Sequence, residues 1–194
     1  MNPEQALETL KQGNERFIAG NMTEHDYMAE VRATASGQSP FAAIVSCLDS
    51  RVTPETVFDQ GVGDLFVARI AGNFVNDDIL GSLEFATSVS AKLIVIMGHT
   101  SCGAIKGACG EPQSGMLAVT LSNIHGSVEA VQGDYSPRDN TNPDFLQAVA
   151  EMNVKHTIEK LTQRSQALRE MIESGQIGVV GAMYDVATGE VTFP

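Results

Sequence analysis

The feature that most restricts this chain is a set of apolar runs that do not alternate with polar residues. Residues 41–48 read "FAAIVSCL", residues 92–97 "KLIVIM" and residues 177–182 "IGVVGA". A strand with one wet face alternates apolar and polar side chains. An unbroken apolar run belongs to a strand covered on both faces. Leu65–Ile70, "LFVARI", is a further strand candidate. The stretches between these runs have helical spacing. Residues 77–90 carry Ile79, Leu80, Leu83 and Phe85 behind a cap at Asn76 or Asp77. Residues 116–132 and 143–174 also read as helices, the second opened by Asn142-Pro143. A break is expected near Gln163–Ser165, because about 30 residues is long for a globular helix.

Strands alternating with helices predict an α/β fold: a mostly parallel sheet of four strands with helices on both faces. A turn at Asp185–Gly189 and a short strand at 190–193 add an antiparallel edge. Asn2-Pro3-Glu4-Gln5 is a helix start, and Ala6, Leu7, Leu10 and Phe17 form an apolar stripe behind it. Gly20-Asn21 end that helix, and residues 22–40 are helical or irregular and polar. The expectation is one domain over residues 1–194, with 1–40 as an N-terminal helical arm. An arm tethered only by glycine, polar residues and proline is as well placed to cover a neighbour as its own core.

The net charge is −12, from 12 Lys and Arg against 24 Asp and Glu. That field repels phosphate backbones, so no nucleic acid partner is expected. No apolar stretch reaches the ~18 residues of a membrane-crossing helix, so no membrane partner is expected either. The three cysteines, Cys47, Cys102 and Cys109, are too few and odd in number for a disulfide scaffold. Reduced thiols fit a cytoplasmic protein; a periplasmic or organellar one would need a leader that has been removed.

In open α/β sheets, ligands bind outside the carboxyl ends of the strands. The run at 41–48 ends in Cys47, Asp49 and Arg51, and the run at 92–97 in His99 and Cys102 of "GHTSCGA". If those two strands are neighbours, two thiols and an imidazole converge. A Cys-His-Cys set leaves a fourth tetrahedral position open, as catalytic zinc requires. Soft thiolates argue against magnesium or calcium. On spacing alone, two ordinary buried cysteines and a satisfied histidine remain an alternative. Asp49 is a fourth ligand or a proton acceptor, and Arg51 is spaced to grip it by a two-pronged hydrogen bond. Cys109, His25, His125 and His156 read as half-buried or surface side chains with no ligand role. Gly61-x-Gly63 is not a dinucleotide fingerprint, because Phe66 stands at the third glycine position. A thiol-redox role lacks a resolving cysteine near Cys47, and Arg51 is too close to Cys47 for a phosphatase loop.

"CLDSR" at 47–51 and "HTSC" at 99–102 resemble the C-x-D-x-R and H-x-x-C motifs of the β-class carbonic anhydrases. The resemblance runs on through "GDLFVARIAGN" at 63–73, "LGSLEFA" at 80–86, "GHTSCGAIKGA" at 98–108 and "VVGAMYDVATGEV" at 179–191. It implies Cys47, His99 and Cys102 as ligands of one Zn2+ per chain and Asp49 and Arg51 as the catalytic dyad. It also implies a substrate pocket of Gln38, Phe66, Ala71, Phe85 and Gly103, with Gln38 reaching the partner's site. The implied reaction is reversible hydration of carbon dioxide to bicarbonate and a proton by a metal-bound hydroxide. Carbonyl sulfide or carbon disulfide is an alternative substrate for the same ligand set. The implied assembly is a homodimer or a dimer of dimers with exchanged N-terminal helices. A regulatory bicarbonate site of Trp, Arg and Tyr is not expected. Arg69 and Tyr184 match two of its positions, but Ile44 stands at the Trp position. Ile70 replaces a frequent Asn, with no functional reading.

Overall fold

A computed structural model describes residues 1–194. Its centre is a five-stranded sheet in the order β2-β1-β3-β4-β5. The strands are β1 (Ala42–Ser46), β2 (Leu65–Arg69), β3 (Leu93–His99), β4 (Gly178–Tyr184) and β5 (Val191–Thr192). The first four run parallel, and β5 pairs antiparallel with β4 at Met183 and Tyr184. The expected sheet is therefore present, with its short antiparallel edge.

Eight helices surround it: α1 (Pro3–Ile18), α2 (Tyr27–Thr34), α3 (Pro54–Val57), α4 (Asp77–Val89), α5 (Gly103–Ala108), α6 (Gly115–Ala130), α7 (Pro143–Arg164) and α8 (Gln166–Glu173). The long C-terminal helical stretch breaks at Ser165, whose hydroxyl caps α8 by accepting from the Leu168 amide. The short helices α3 and α5 were not legible in the sequence. Each follows a strand-end loop, and four or six residues are too few to show a helical period. No helix is long and apolar enough to cross a membrane.

Side chains alternate between two cores, as the period of a strand dictates. Ala43, Val45, Cys47, Ile94 and Ile96 face the larger core with α4, α5, α6 and α7. Ala42, Ile44, Leu93, Val95 and Met97 face the smaller one with α1 and α3. Both faces of β1 and β3 are thus buried, which explains their unbroken apolar runs.

The N-terminal helix α1 lies on the smaller core. Ala6 and Leu10 of α1 are fully buried against the chain's own sheet. Asn14 pins the helix from inside. Its amide donates to the carbonyls of Val57 and Gly189, at 3.1 and 2.8 Å, and its oxygen accepts from the Val191 amide at 2.8 Å. Gly13 permits the approach, since a Cβ there would lie 1.8 Å from the Phe58 carbonyl oxygen. The loose tether hid this docking, because the contacts come from α3 and from β5, far along the chain. The docking gives a direct test. Leu10→Ala should cost about 2–5 kcal/mol of stability in urea unfolding. A loss near zero would mean that α1 does not close this core.

Candidate metal centre

The strand order places β1 between β2 and β3, so the chain turns to one side of β1 and then to the other. Such a switch point leaves a crevice at the strand ends. Cys47 follows the last residue of β1, and His99 is the last residue of β3. Cys102 caps α5 just beyond. The ligand-type atoms of Cys47, His99 and Cys102 all lie within 4.8 Å of one another, and all three residues are buried. The two sulfurs are 3.9 Å apart.

The histidine is oriented. Its Nδ1 donates to the Thr100 carbonyl at 2.9 Å, so its proton sits there and Nε2 presents a lone pair. Nε2 is buried and has no hydrogen-bond partner. An unsatisfied buried acceptor is costly, and a cation among the two sulfurs is what would satisfy it. The donor set and the orphaned nitrogen therefore fit a soft divalent metal. The hydrogen bond from Cys102 is the main cause that pulls Cys47 down to about 4, with help from His99 and the Gly72 amide. The same bond, together with burial, pushes Cys102 up.

Asp49 and Arg51 form a paired clamp beside this cluster. The Arg51 guanidinium donates to both Asp49 carboxylate oxygens, at 2.9 and 2.8 Å, and the Arg51 amide donates to Oδ1 at 3.0 Å. Arg51 also reaches the Ser101 carbonyl at 3.3 Å, tying the two strand-end loops together. This grip holds the Asp49 carboxyl well below the usual carboxylate range, against a smaller opposing effect of burial.

Arg69 has a use that the sequence did not reveal. At the end of β2 it donates to the Cys47 carbonyl at 3.0 Å and to the Asp49 carbonyl at 2.5 Å. It therefore staples the loop that carries both residues. The one signal was its position, a charge closing an apolar strand.

The pocket residues divide. Ala71 precedes Gly72, whose amide donates to the Cys47 sulfur at 3.4 Å, and Gly103 directly follows Cys102. Those two lie beside the cluster. Phe66 pairs in register with Ala43, four residues before Cys47, or about 13 Å along the strand. It packs edge-on against Phe85 of α4 at 6.2 Å, and both line a groove at the β2 edge of the sheet. Gln38 is exposed in the loop before β1, at the opposite end of that strand from Cys47. Cys109 is half-buried in the larger core, and burial pushes its thiol up to about 11. His125 is exposed as expected. His25 and His156 are more enclosed than expected, against Glu30 at 2.7 Å and Ser127 at 3.1 Å.

A family model described as carbonic anhydrase matches residues 42–191. Carbonic anhydrase 2 of Mycobacterium tuberculosis is 39% identical over 190 residues, spanning 97% of this chain and 91% of that protein. The carbonic anhydrase of Mycolicibacterium smegmatis is 36% identical, spanning 98% and 92%. Among solved structures, the Coccomyxa β-carbonic anhydrase in complex with acetazolamide superposes with a TM-score of 0.75. It is 26% identical and covers 96% of this chain and 83% of that one. The β-carbonic anhydrase CafA of Aspergillus fumigatus superposes at 0.73 with 28% identity, covering 86% and 81%. The chain belongs to the β-carbonic anhydrase family. In this carbonic anhydrase chain, the positions of Arg69 and Tyr184 are accounted for locally. Arg69 spends its donors on backbone carbonyls, and Tyr184 is buried.

The clamp carries a pH prediction. A lowered carboxyl pKa means that Asp49 stays ionised as pH falls through the ordinary value of about 3.9, and that the pair is lost only in stronger acid. Carbon-13 NMR of the Asp49 carboxyl should show this. Arg51→Ala should move the midpoint back up toward the ordinary range. An ordinary midpoint in the parent protein would contradict the clamp.

Proposed function

We propose that this enzyme hydrates carbon dioxide reversibly to bicarbonate and a proton, with Zn2+ held by Cys47, His99 and Cys102. The observation that carries the reading is the buried cluster of two thiols and an unpartnered imidazole nitrogen, beside a carboxylate clamped by arginine. When bound, zinc lowers the pKa of a water from 15.7 to about 7 and so supplies a nucleophile near neutral pH. Two thiolates donate more charge to the metal than neutral ligands would, so activity should favour alkaline pH. Asp49 compensates. Its carboxylate accepts a hydrogen bond from the attacking water and aims it, while Arg51 keeps the carboxylate charged and still. The Gly103 amide, at the first turn of α5, is available to the departing anion. The proton leaves to buffer.

Carbon dioxide is small and apolar, and Ala71 supplies part of an apolar wall. Gln38, Phe66 and Phe85 stand at the other side of the same chain. A homodimer, or a dimer of dimers, would bring them to a partner's metal centre. Phe85, 58% accessible, supports that reading because it is part of a contiguous apolar groove with Phe66, Val67 and Ile79, which a partner would cover.

The purified protein should carry about one zinc per chain by elemental analysis. Cys47→Ser or Cys102→Ser should lose both the metal and hydration activity, whereas Asp49→Ala should keep the metal and lose about 10- to 100-fold of the activity. Full zinc retention by either serine variant, or parental activity of Asp49→Ala from pH 6 to 9, would refute the corresponding assignment. For assembly, Phe85→Asp should shift the sedimenting species toward monomer and lower activity with zinc retained. An unchanged, fully active oligomer would remove Phe85 from the interface.

A further inference from the structure

A chain of buried polar groups leads from α6 and α7 to the Cys47 sulfur. Asn153 of α7 is 1% exposed, and its amide donates to the Gly72 carbonyl at 2.7 Å. On its other side, Gly72 donates its own N–H to the Cys47 sulfur at 3.4 Å. Behind Asn153, Ser127 of α6 donates to the Asn153 side-chain oxygen at 3.4 Å and meets His156 Nδ1 at 3.1 Å. Asn153 sits 81 residues along the chain from Gly72, and no motif announces it.

Gly72 is left-handed, with φ 88°, and Asn73 after it is also left-handed, with φ 42°. Glycine adopts that region freely, whereas Asn73 is kept in it by its surroundings. A Cβ at position 72 would lie 2.5 Å from Ile124 Cδ1, so glycine is required for space as well as for conformation. The Asn153 bond holds this turn by its carbonyl and so aims its N–H at the sulfur.

The aim matters because of the donor set. Thiolate ligands push electron density onto a metal and weaken its acidity. An N–H directed at the sulfur draws part of that density back, as outer hydrogen bonds do at metal sites generally. We propose that Asn153, acting through Gly72, is a positioning residue that sets how strongly the Cys47 thiolate donates to the bound metal. The inference rests on the zinc reading above.

The test uses the full-length protein loaded with cadmium-113 or cobalt(II). In the parent, the Gly72 amide proton should show scalar coupling to cadmium-113 through the Cys47 sulfur. That measurement needs no variant to fold. Asn153→Asp keeps the size of the side chain but replaces the donor with an acceptor. It should abolish the coupling and move the cobalt–thiolate charge-transfer band to longer wavelength. If that variant does not fold, Asn153→Ser should shift the same readouts in the same direction. A merely structural asparagine would lower the melting temperature and leave the charge-transfer energy where it was. A cadmium-loaded parent without Gly72 coupling, or a folded variant with an unmoved band, overturns the inference while the metal reading stands. Failure to bind cadmium or cobalt through Cys47 and Cys102 would instead strike the metal reading itself.

Discussion

The site depends first on the pairing of β1 with β3. Ala42 to Val45 lie in parallel register with Leu93 to Ile96, so the two strands rise together and run out at the same level. Cys47 and His99 are simply the residues that each strand presents at that level. Burial on both faces makes the pairing rigid, because interiors pack closely and allow no slippage without moving whole core layers. A one-residue slip of β1 would turn Cys47 into the smaller core, away from Cys102.

Putting these groups at a dry sheet edge is costly unless they find partners. The backbone supplies several. The Thr100 carbonyl orients His99, the Gly72 amide meets one sulfur, and the amides of Ile105 and Ala104 at the start of α5 favour the other. Thr100 is itself held to the β4–β5 turn, since its hydroxyl bonds Asp185 at 3.3 Å and accepts from the Val186 amide at 3.1 Å. Two arginines steady the loop after β1: Arg51 through the Asp49 carboxylate and Arg69 through backbone carbonyls. What remains unpaired is the His99 nitrogen, which faces the thiols. The chain carries a net charge of −12, and of the two cations beside this site Arg51 is paired with the Asp49 carboxylate.

The two ends of β1 do different things. Its carboxyl end carries the metal-type cluster, while its amino end adjoins Gln38 and the Phe66–Phe85 groove. One chain therefore presents two separate sets of family-type residues rather than one finished pocket. The N-terminal helix takes one of the two courses that its tether leaves open. Its apolar stripe meets the sheet of its own chain, because Gly13 lets it approach and Asn14 anchors it to β5.

The sequence by itself determined the sheet, the burial of β1 and β3 on both faces, the break at Ser165 and the strand-end positions of Cys47, Asp49, Arg51, His99 and Cys102. Those features are local: they follow from apolar runs, caps and short spacings that the backbone geometry translates directly. The short helices α3 and α5 left no such trace, being shorter than the period that would reveal them. Only the tertiary structure decided which strands are neighbours, and with that the meeting of the two cysteines. It alone showed that Arg69 staples the β1 loop, that Asn153 grips Gly72, and that Phe66 and Phe85 lie on the β2 side of the sheet, near the other end of the strands from their own cluster. Each of these joins residues about 20 to 80 positions apart, and contacts at that range are set by how the elements pack, which no spacing along the chain encodes.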